Sequence, residues 1–318
     1  MDIISHHIFK EHDTGMHPEN RKRLDVMGDL SDSEISFDEA APKIIHGEAY
    51  IRKVKEYSRT GIPLDRDTHT SPLSYDAAIY AANATIMASE TNDLALVRPP
   101  GHHAYPHHAS GFCLFNNVSI AAQLLAERGK KVLIFDFDGH LGDGTSEIFY
   151  SSDKVMYWSI HQYPAFPGHG YVDEMGKEQG KGFTVNVPLP PGSGDDIYMD
   201  ALTYTLPFAK AFNPDVVAVS AGFDSHQYDL LLQLRLTVDS FYKTGKIITE
   251  NFKNIFATLE GGYNVEELPK CIHNFLAGIN DEEQPYTEAH TESDIKTWGE
   301  YEPRIDQLLT SMKPIWNI

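Results

Sequence analysis

The stretch IFDFDGHLGDGT, Ile134–Thr145, places three acids and one histidine within eight residues, directly behind the apolar run Val132–Phe135. Asp138 and His140 are two residues apart, so at the end of a strand both side chains point to one face of the sheet. With Asp224 they would supply two carboxylate oxygens and one imidazole nitrogen, and would leave room for water and substrate. Either acid alone is explained as well by capping a loop or a helix. The three together predict a catalytic divalent-metal site.

The adjacent histidines His102 and His103 follow a Pro-Pro-Gly turn that stiffens their loop. A water activated by a metal needs a base and a leaving amine needs an acid, and neighbouring imidazoles can fill both roles. Asp136 and Asp143 are the carboxylates available to fix the tautomer of each ring. On spacing alone, two surface histidines in a loop explain the pair equally well.

Tyr263 follows two glycines, Gly261 and Gly262, which allow the backbone to approach a ligand closely. Its hydroxyl could donate to an oxyanion that develops opposite the metal. A Gly-Gly-Tyr sequence is also common in ordinary turns, so this motif contributes only in combination with the others.

Short apolar runs alternate with segments of helical spacing, which predicts a mostly parallel sheet covered by helices on both faces. The predicted strands are Leu94–Val97, Val132–Phe137, Val155–Ile160, Phe183–Pro188, Val216–Ser220 and Ile255–Leu259. The predicted helices are Tyr75–Ser89, Val118–Arg128, Ile197–Phe212, Val238–Phe252 and one near Ile305–Met312, after an acidic loop or tether at Asp281–Asp294. The motifs RPPGHH, DGH, SIHQ, AGFD and EGGY lie at five strand ends. Ligand sites of open parallel sheets lie beyond the carboxyl ends of the strands, so these motifs are expected to converge.

The composition is that of an ordinary globular protein, with 41% hydrophobic and 23% charged residues. The net charge of −20 argues against nucleic-acid binding and would steer cationic substrates, although charge that only maintains solubility explains it as well. No apolar window is long enough for a membrane span, and MDIISHHIFKEHD lacks the pattern of a secretory signal. Two cysteines are too few for a disulfide framework, so we expect a cytoplasmic protein.

The motifs RPPGHHA…GFCLFNN, DFDGHLGDGT, SAGFD and LEGGYN, in this order, resemble the histone deacetylase superfamily, which also holds acetylpolyamine amidohydrolases and acetoin-utilisation proteins. HPE at His17–Glu19 and SIHQYPAFPGHG at Ser159–Gly170 extend the resemblance over residues 6 to 275. It implies an arginase-like α/β fold with a mostly parallel sheet of about eight strands between helices. Residues 1–318 would form one catalytic domain, in which 281–318 supply the acidic loop and a C-terminal helix.

The resemblance also implies roles for the individual residues. Zinc would be held by Asp138, His140 and Asp224, although iron or another divalent ion would suit the same ligands. The tandem histidines would be His102, supported by Asp136, and His103, supported by Asp143. His103 would be the better candidate for the general base, and Tyr263 would stabilise the transition state. Substrate contacts are implied for Gly111, Phe112, Phe166, Asp67, Leu231, Gly261 and Gly262. A structural monovalent cation, usually potassium, is implied near Asp136, Asp138, His140 and Ser159.

Two positions depart from the family pattern. Leu141 stands where a second histidine is usual, which removes polar contacts beneath the site but leaves the metal ligands intact. The segment SHQYDLLLQLRLT after Asp224 replaces a more usual G-D-P-L-G-like turn at the channel rim. Leu231 in this segment falls where some polyamine-selective relatives place a glutamate.

The activity expected from these residues is a zinc-dependent hydrolysis that removes acetyl or other acyl groups from the Nε amine of lysine in proteins or peptides. An acetylpolyamine deacetylase is the nearest alternative. A non-catalytic acyl-lysine-binding protein is less favoured, because it could dispense with Tyr263. A ureohydrolase with two manganese ions is also disfavoured, because no D-x-H-x-D cluster accompanies the strand ends.

Overall fold

A parallel sheet of seven strands runs through the molecule, whose computed structural model describes residues 1–318. The strands are β1 (Ile3–Ile4), β2 (Leu94–Ala95), β3 (Val132–Asp136), β4 (Val155–Gln162), β5 (Thr184–Leu189), β6 (Val216–Ala221) and β7 (Ile255–Leu259). They are ordered β1-β2-β7-β6-β3-β4-β5, and every neighbouring pair is parallel. Every residue of β3 is buried, as expected for a strand covered on both faces, and this burial accounts for its apolar run Val132–Phe135.

Nine α-helices flank this sheet. They are α1 (Lys22–Asp25), α2 (Glu48–Thr60), α3 (Ser74–Thr91), α4 (Asn117–Glu127), α5 (Asp143–Phe149), α6 (Asp195–Phe212), α7 (Val238–Asn251), α8 (Leu268–Ile279) and α9 (Ile295–Trp316). Helix α3 packs on α4 and β7, α6 packs on β4 and α9, and α7 pairs with α8. Their apolar faces and the sheet form one core of 63 buried residues, and a second core of 12 lies mainly between α2, α3 and α4.

The α/β architecture and the parallel sheet are confirmed, with corrections in detail. The sheet has seven strands rather than about eight, because no further segment pairs with its edges. Strand β1 was not predicted, since two residues carry no periodic pattern, and β2 ends at Ala95 rather than at Val97. Helices α1, α2, α5 and α8 were also absent from the prediction.

The end of the chain differs most from its predicted form. Helix α9 begins at Ile295, where the Asp294 side chain accepts a hydrogen bond from the Thr297 amide, and it continues to Trp316. The stretch 281–294 is a loop, as predicted, and it is tied to the fold. Glu288 accepts a hydrogen bond from the Val238 amide at the start of α7.

Strand β3 lies near the middle of the sheet, between β6 and β4. Asp136 at its carboxyl end is in register with Ser220 on β6 and with Ser159 on β4. The segments that carry the polar motifs therefore leave adjacent strands at the same edge. None of the helices has the length and apolarity that a membrane crossing requires.

Candidate active site

The structure brings Asp138, His140 and Asp224 together, with their ligand atoms all within 4.8 Å of one another. His140 Nδ1 lies 2.7 Å from Asp224 Oδ2 and 3.3 Å from Asp138 Oδ1. The Gly261 amide donates to Asp138 Oδ2 and the Gly139 amide donates to Asp224 Oδ1, each at 2.7 Å. Asp138 Oδ1, which faces the imidazole, also accepts the His140 amide at 2.9 Å. Backbone amides therefore orient both carboxylates towards the imidazole.

The electrostatics of this cluster favour a bound cation. Burial, together with the nearby Asp138 carboxylate, raises the pKa of Asp224 to about 7. Burial opposes the charged form of His140, but Asp224 and Asp138 outweigh it and raise the pKa of this imidazole to about 10. Two buried carboxylates facing one imidazole carry excess negative charge, which a divalent ion would neutralise. Two oxygens and one nitrogen on a tight triangle also form a ligand set that zinc or iron accepts.

Two glycines leave space for the carboxylates of this cluster. A Cβ on Gly222 would lie 1.9 Å from Asp138 Oδ2, and one on Gly261 would lie 2.5 Å from Asp224 Oδ2. Both distances are far shorter than any permitted contact, so the metal ligands occupy space that only glycine leaves free. Gly222 lies within the AGFD motif and Gly261 within EGGY.

The histidine pair is buried beside the metal ligands, and each ring has its own carboxylate. His102 Nδ1 is 3.1 Å from Asp136 Oδ2, and His103 Nδ1 is 2.6 Å from Asp143 Oδ1. The two ring centroids are 4.0 Å apart. The pairing predicted from the sequence is therefore present, and the alternative of two surface histidines is wrong.

The two imidazoles have opposite charge preferences. Burial and the neighbouring His102 lower the pKa of His103 to about 4, so this ring is neutral at pH 7. Burial also opposes protonation of His102, but Asp138 and Asp136 raise the pKa of that ring well above its usual value. Since His103 donates through Nδ1 to Asp143, its Nε2 is left as a lone-pair acceptor.

Several supporting groups were not singled out from the sequence. Glu260 accepts hydrogen bonds from the amides of Gly101 and His102, at 2.7 and 3.1 Å, and so fixes the turn that carries the pair. The Tyr157 hydroxyl donates to Asp136, and the Tyr105 hydroxyl donates to Asp143. Glu260 begins the EGGY motif and offered a signal, whereas the two tyrosines lie far from their partners in sequence.

Tyr263 lies across the cavity from the pair, and its hydroxyl has no hydrogen-bond partner within the protein. Its ring packs edge-on against Phe112, with centroids 5.7 Å apart. The Arg23 guanidinium lies 5.0 Å from the ring centroid and also donates to the Gly262 carbonyl at 2.7 Å. Arg23 is itself paired with the buried Glu19, which places the HPE motif behind the tyrosine.

A cavity of about 460 Å³ opens onto these groups. Its lining residues are His17, Pro18, Asp67, His103, Gly111, Phe112, His140, Phe166, Leu231 and Tyr263. The predicted rim and wall residues Asp67, Gly111, Phe112, Phe166 and Leu231 are therefore all placed on it. A Cβ on Gly111 would lie 2.3 Å from the His103 ring, so this wall also requires glycine.

Two predicted substrate residues are placed elsewhere. Gly261 contacts the metal ligands and Gly262 contacts Arg23, and neither lines the cavity. His17 and Pro18 line it and were not named as site residues, although the HPE motif contains both.

Of the four residues expected to bind a monovalent cation, Asp138 and His140 belong to the divalent cluster, and Asp136 and Ser159 are in register on β3 and β4. Asp136 Oδ1 accepts the Asp138 amide, and Ser159 Oγ is 2.9 Å from His161 Nδ1. Leu141 packs in the main hydrophobic core, 1% exposed, so the position where a second histidine is usual is apolar here.

Comparison with known proteins places this arrangement in a family. A model of the histone deacetylase domain matches residues 17–279. A probable deacetylase of Archaeoglobus fulgidus is 36% identical over 292 residues, which cover 83% of this chain and 81% of the relative. The crystal structure of the HDA15 HD domain is similar with a TM-score of 0.89 at 28% identity, covering 99% of this chain and 96% of that chain. The crystal structure of an acetylpolyamine aminohydrolase from Burkholderia pseudomallei is similar with a TM-score of 0.82 at 28% identity, covering 88% of this chain and 98% of that chain.

These likenesses define the class of the protein as a deacetylase, a hydrolase of amide bonds. Since the family model spans most of its length, the chain belongs to the histone deacetylase family. The resemblance inferred from the sequence motifs is thereby confirmed.

Proposed function

We propose that this deacetylase removes acetyl groups from the Nε amine of lysine in peptides or proteins, with one zinc ion held by Asp138, His140 and Asp224. The observation that carries the proposal is the cavity, which is lined by His103, by Tyr263 and by His140, the one of the three ligands that faces it. Its walls are largely apolar and suit the aliphatic stem of lysine.

The proposed reaction divides the chemistry among the residues of the cavity. A divalent ion at the three ligands would polarise the acetyl carbonyl and lower the pKa of the attacking water. His103 accepts the proton of that water at Nε2, because its Nδ1 is engaged by Asp143. The Tyr263 hydroxyl, which has no partner in the protein, donates to the developing oxyanion. The histidine pair then returns a proton to the departing amine, and Asp136 keeps His102 oriented.

Acetylpolyamines are the second candidate, supported by the structural likeness to an acetylpolyamine aminohydrolase. Leu231 on the cavity wall argues for lysine, since a leucine cannot pair with the second cation of a polyamine. Phe112 and Phe166 would also desolvate a charged polyamine interior. Asp67 lies at the cavity and would meet the backbone of a peptide substrate.

We also propose a second ion and a single-domain organisation. A structural potassium ion is proposed near Asp136, Asp138, His140 and Ser159, and residues 1–318 are proposed to act as one catalytic domain. Both cysteines are free and buried, which suits a reducing cytoplasm. The charge of −20 supports acetylated cationic partners and opposes direct nucleic-acid binding.

Competition kinetics with metal-loaded enzyme test the proposal. A short acetyl-lysine peptide should have a higher kcat/KM than N-acetylputrescine or acetylspermidine, and Leu231→Glu should shift the ratio towards the polyamines. Leu230→Glu is the matched control. It adds the same charge at a position that is 88% exposed and lies outside the cavity lining. A higher kcat/KM for either polyamine in the wild-type enzyme would overturn the lysine assignment.

Metal analysis of the same preparations separates binding from catalysis. We expect about one tightly bound divalent ion per chain, and Asp224→Ala should lose the ion and the activity together. Two manganese ions per chain, both required for turnover, would contradict the mononuclear site.

A further inference from the structure

Asp229 joins two loops that wall the cavity. Its Oδ2 accepts hydrogen bonds from the amides of Tyr263 at 2.6 Å and Asn264 at 3.0 Å, and its Oδ1 accepts one from the Leu231 amide at 3.1 Å. The residue is only 7% exposed. One buried carboxylate therefore binds three backbone amides, two in the loop after β7 and one in the loop after β6.

The same two loops are linked a second time beside this carboxylate. The Asn264 side-chain amide donates to the Tyr228 carbonyl at 2.7 Å. The Asp229 amide donates to the His226 carbonyl at 2.9 Å, which closes the turn that carries the carboxylate. Asp229 is thus held by its own turn while it holds Tyr263, so its position depends little on the tyrosine itself.

The Tyr263 ring, by contrast, is positioned only by packing and by its own backbone. Phe112 and Arg23 contact the ring, and no protein group binds the hydroxyl. An oxyanion donor works only when it is fixed near its final position before the reaction, and a displacement of 1 Å can reduce turnover about 100-fold. The amide of Tyr263 is the point at which the protein can fix that position.

We propose that Asp229 is a positioning residue, which holds the Tyr263 hydroxyl in line with the substrate and fixes Leu231 on the cavity wall in the same arrangement. This inference rests on the proposed deacetylase function for its catalytic consequence. It assigns to the rim segment a role in turnover as well as in substrate choice.

A merely structural role for Asp229 makes a different prediction. Asp195 provides the comparison, because it is 1% exposed and accepts hydrogen bonds from the amides of Thr237 and Thr291 away from the cavity. Asp195→Asn should lower the free energy of unfolding but change kcat by less than about twofold. Asp229→Asn keeps the size of the side chain but offers one carbonyl oxygen in place of two, so it must release at least one of the loops.

The kinetic test is a double-mutant cycle. Asp229→Asn should lower kcat by about 10- to 100-fold with an unchanged metal content. In a Tyr263→Phe background the same substitution should cause less than about a twofold further loss, since the group that it positions is already gone. Equal losses in both backgrounds, or a wild-type kcat in Asp229→Ala, which leaves no acceptor for the Tyr263 amide, would overturn the proposal.

Amide hydrogen exchange provides a readout that needs no substrate. Exchange at Tyr263 and Asn264 should be faster in Asp229→Asn than in the wild type, while Asp195→Asn should leave it unchanged. Unchanged exchange in Asp229→Ala, which removes both oxygens and so releases both loops, contradicts the positioning role whatever the activity is. If the wild-type protein has no deacetylase activity but exchange still differs between it and the Asp229 variant as expected, the proposed function is wrong and the structural role of Asp229 stands.

Discussion

At the scale of single residues, the metal cluster requires a glycine at position 222. A Cβ at that position would lie only 1.9 Å from Asp138 Oδ2 and would clash with the carboxylate. We predict that Gly222→Ala displaces the Asp138 carboxylate and reduces bound metal to well below one equivalent. Metal analysis after dialysis checks this, with Gly299→Ala as control because a Cβ there meets nothing within 4 Å. Full metal retention in Gly222→Ala would show that the carboxylate can relocate.

Substitutions of Tyr263 and His103 also act at the scale of single residues, and they should reduce turnover to different extents. Tyr263→Phe removes one oxyanion donor and keeps the ring, so kcat should fall by roughly 100- to 1000-fold with little change in substrate affinity. His103→Ala should be nearly inactive while retaining the metal, since His103 is not one of the three ligands. Steady-state kinetics and metal analysis on both variants test these roles. Turnover close to wild type in either one removes that residue from the mechanism.

At the scale of elements, His46 connects the loop after β2 to the start of α4. Its Nδ1 donates to the Tyr105 carbonyl at 3.0 Å, and its Nε2 accepts the Asn116 amide at 2.9 Å. Both nitrogens are satisfied only in the neutral ring, because a second ring proton would oppose the Asn116 amide. Burial lowers the pKa of His46 from 6.5 to about 4.

The stability of the fold should therefore depend on pH through His46. The unfolded chain binds a proton at His46 near pH 6.5, whereas the folded chain binds it only near pH 4. The contribution of neutral His46 to the free energy of unfolding is therefore complete above pH 6.5 and is lost as the pH falls towards 4. His46 should contribute about 3 kcal/mol to this loss, which urea unfolding at several pH values would measure. His46→Gln should make the dependence shallower and leave the part that the buried His103 and His161 contribute, since their pKa values are also lowered to about 4. His273→Gln, at an exposed position on α8, should not, and an equal slope in both variants would assign the effect to other groups.

Elements with long sequence patterns were predicted more readily than elements with short ones. Strand β3 and helix α6 were recognised because an unbroken apolar run and a long periodic segment identify them. Helix α2 carries a usable signal although it is absent from the predicted helices, since its buried positions Tyr50, Ile51, Val54 and Ser58 follow helical spacing. At the site, ligands two residues apart just after a strand were predictable, whereas the bond from Tyr105 to Asp143 joins segments whose approach no local pattern reveals.

At the scale of the whole molecule, the charge of −20 should act on the rate of encounter with cationic substrates. We predict that raising the ionic strength from about 20 to about 300 mM lowers kcat/KM several-fold for an acetyl-lysine peptide flanked by lysines. A peptide with neutral flanks is the control and should change by less than about twofold, because screening removes little attraction from it. Equal salt dependence for the two peptides would indicate that the charge plays no part in substrate capture.

The metal ligands and the residues that select the substrate are carried by different kinds of structural element. The metal ligands leave the ends of β3 and β6, in the interior of the sheet, whereas Leu231, Phe166 and Asp67 stand on loops. Selectivity is therefore free to change, in evolution or by loop grafting, while the reaction centre is inherited intact. Asp229 limits that freedom, because the rim segment also carries the support of Tyr263. A graft that replaces residues 225–234 without an acid at position 229 would transfer a new preference into an enzyme that turns over slowly.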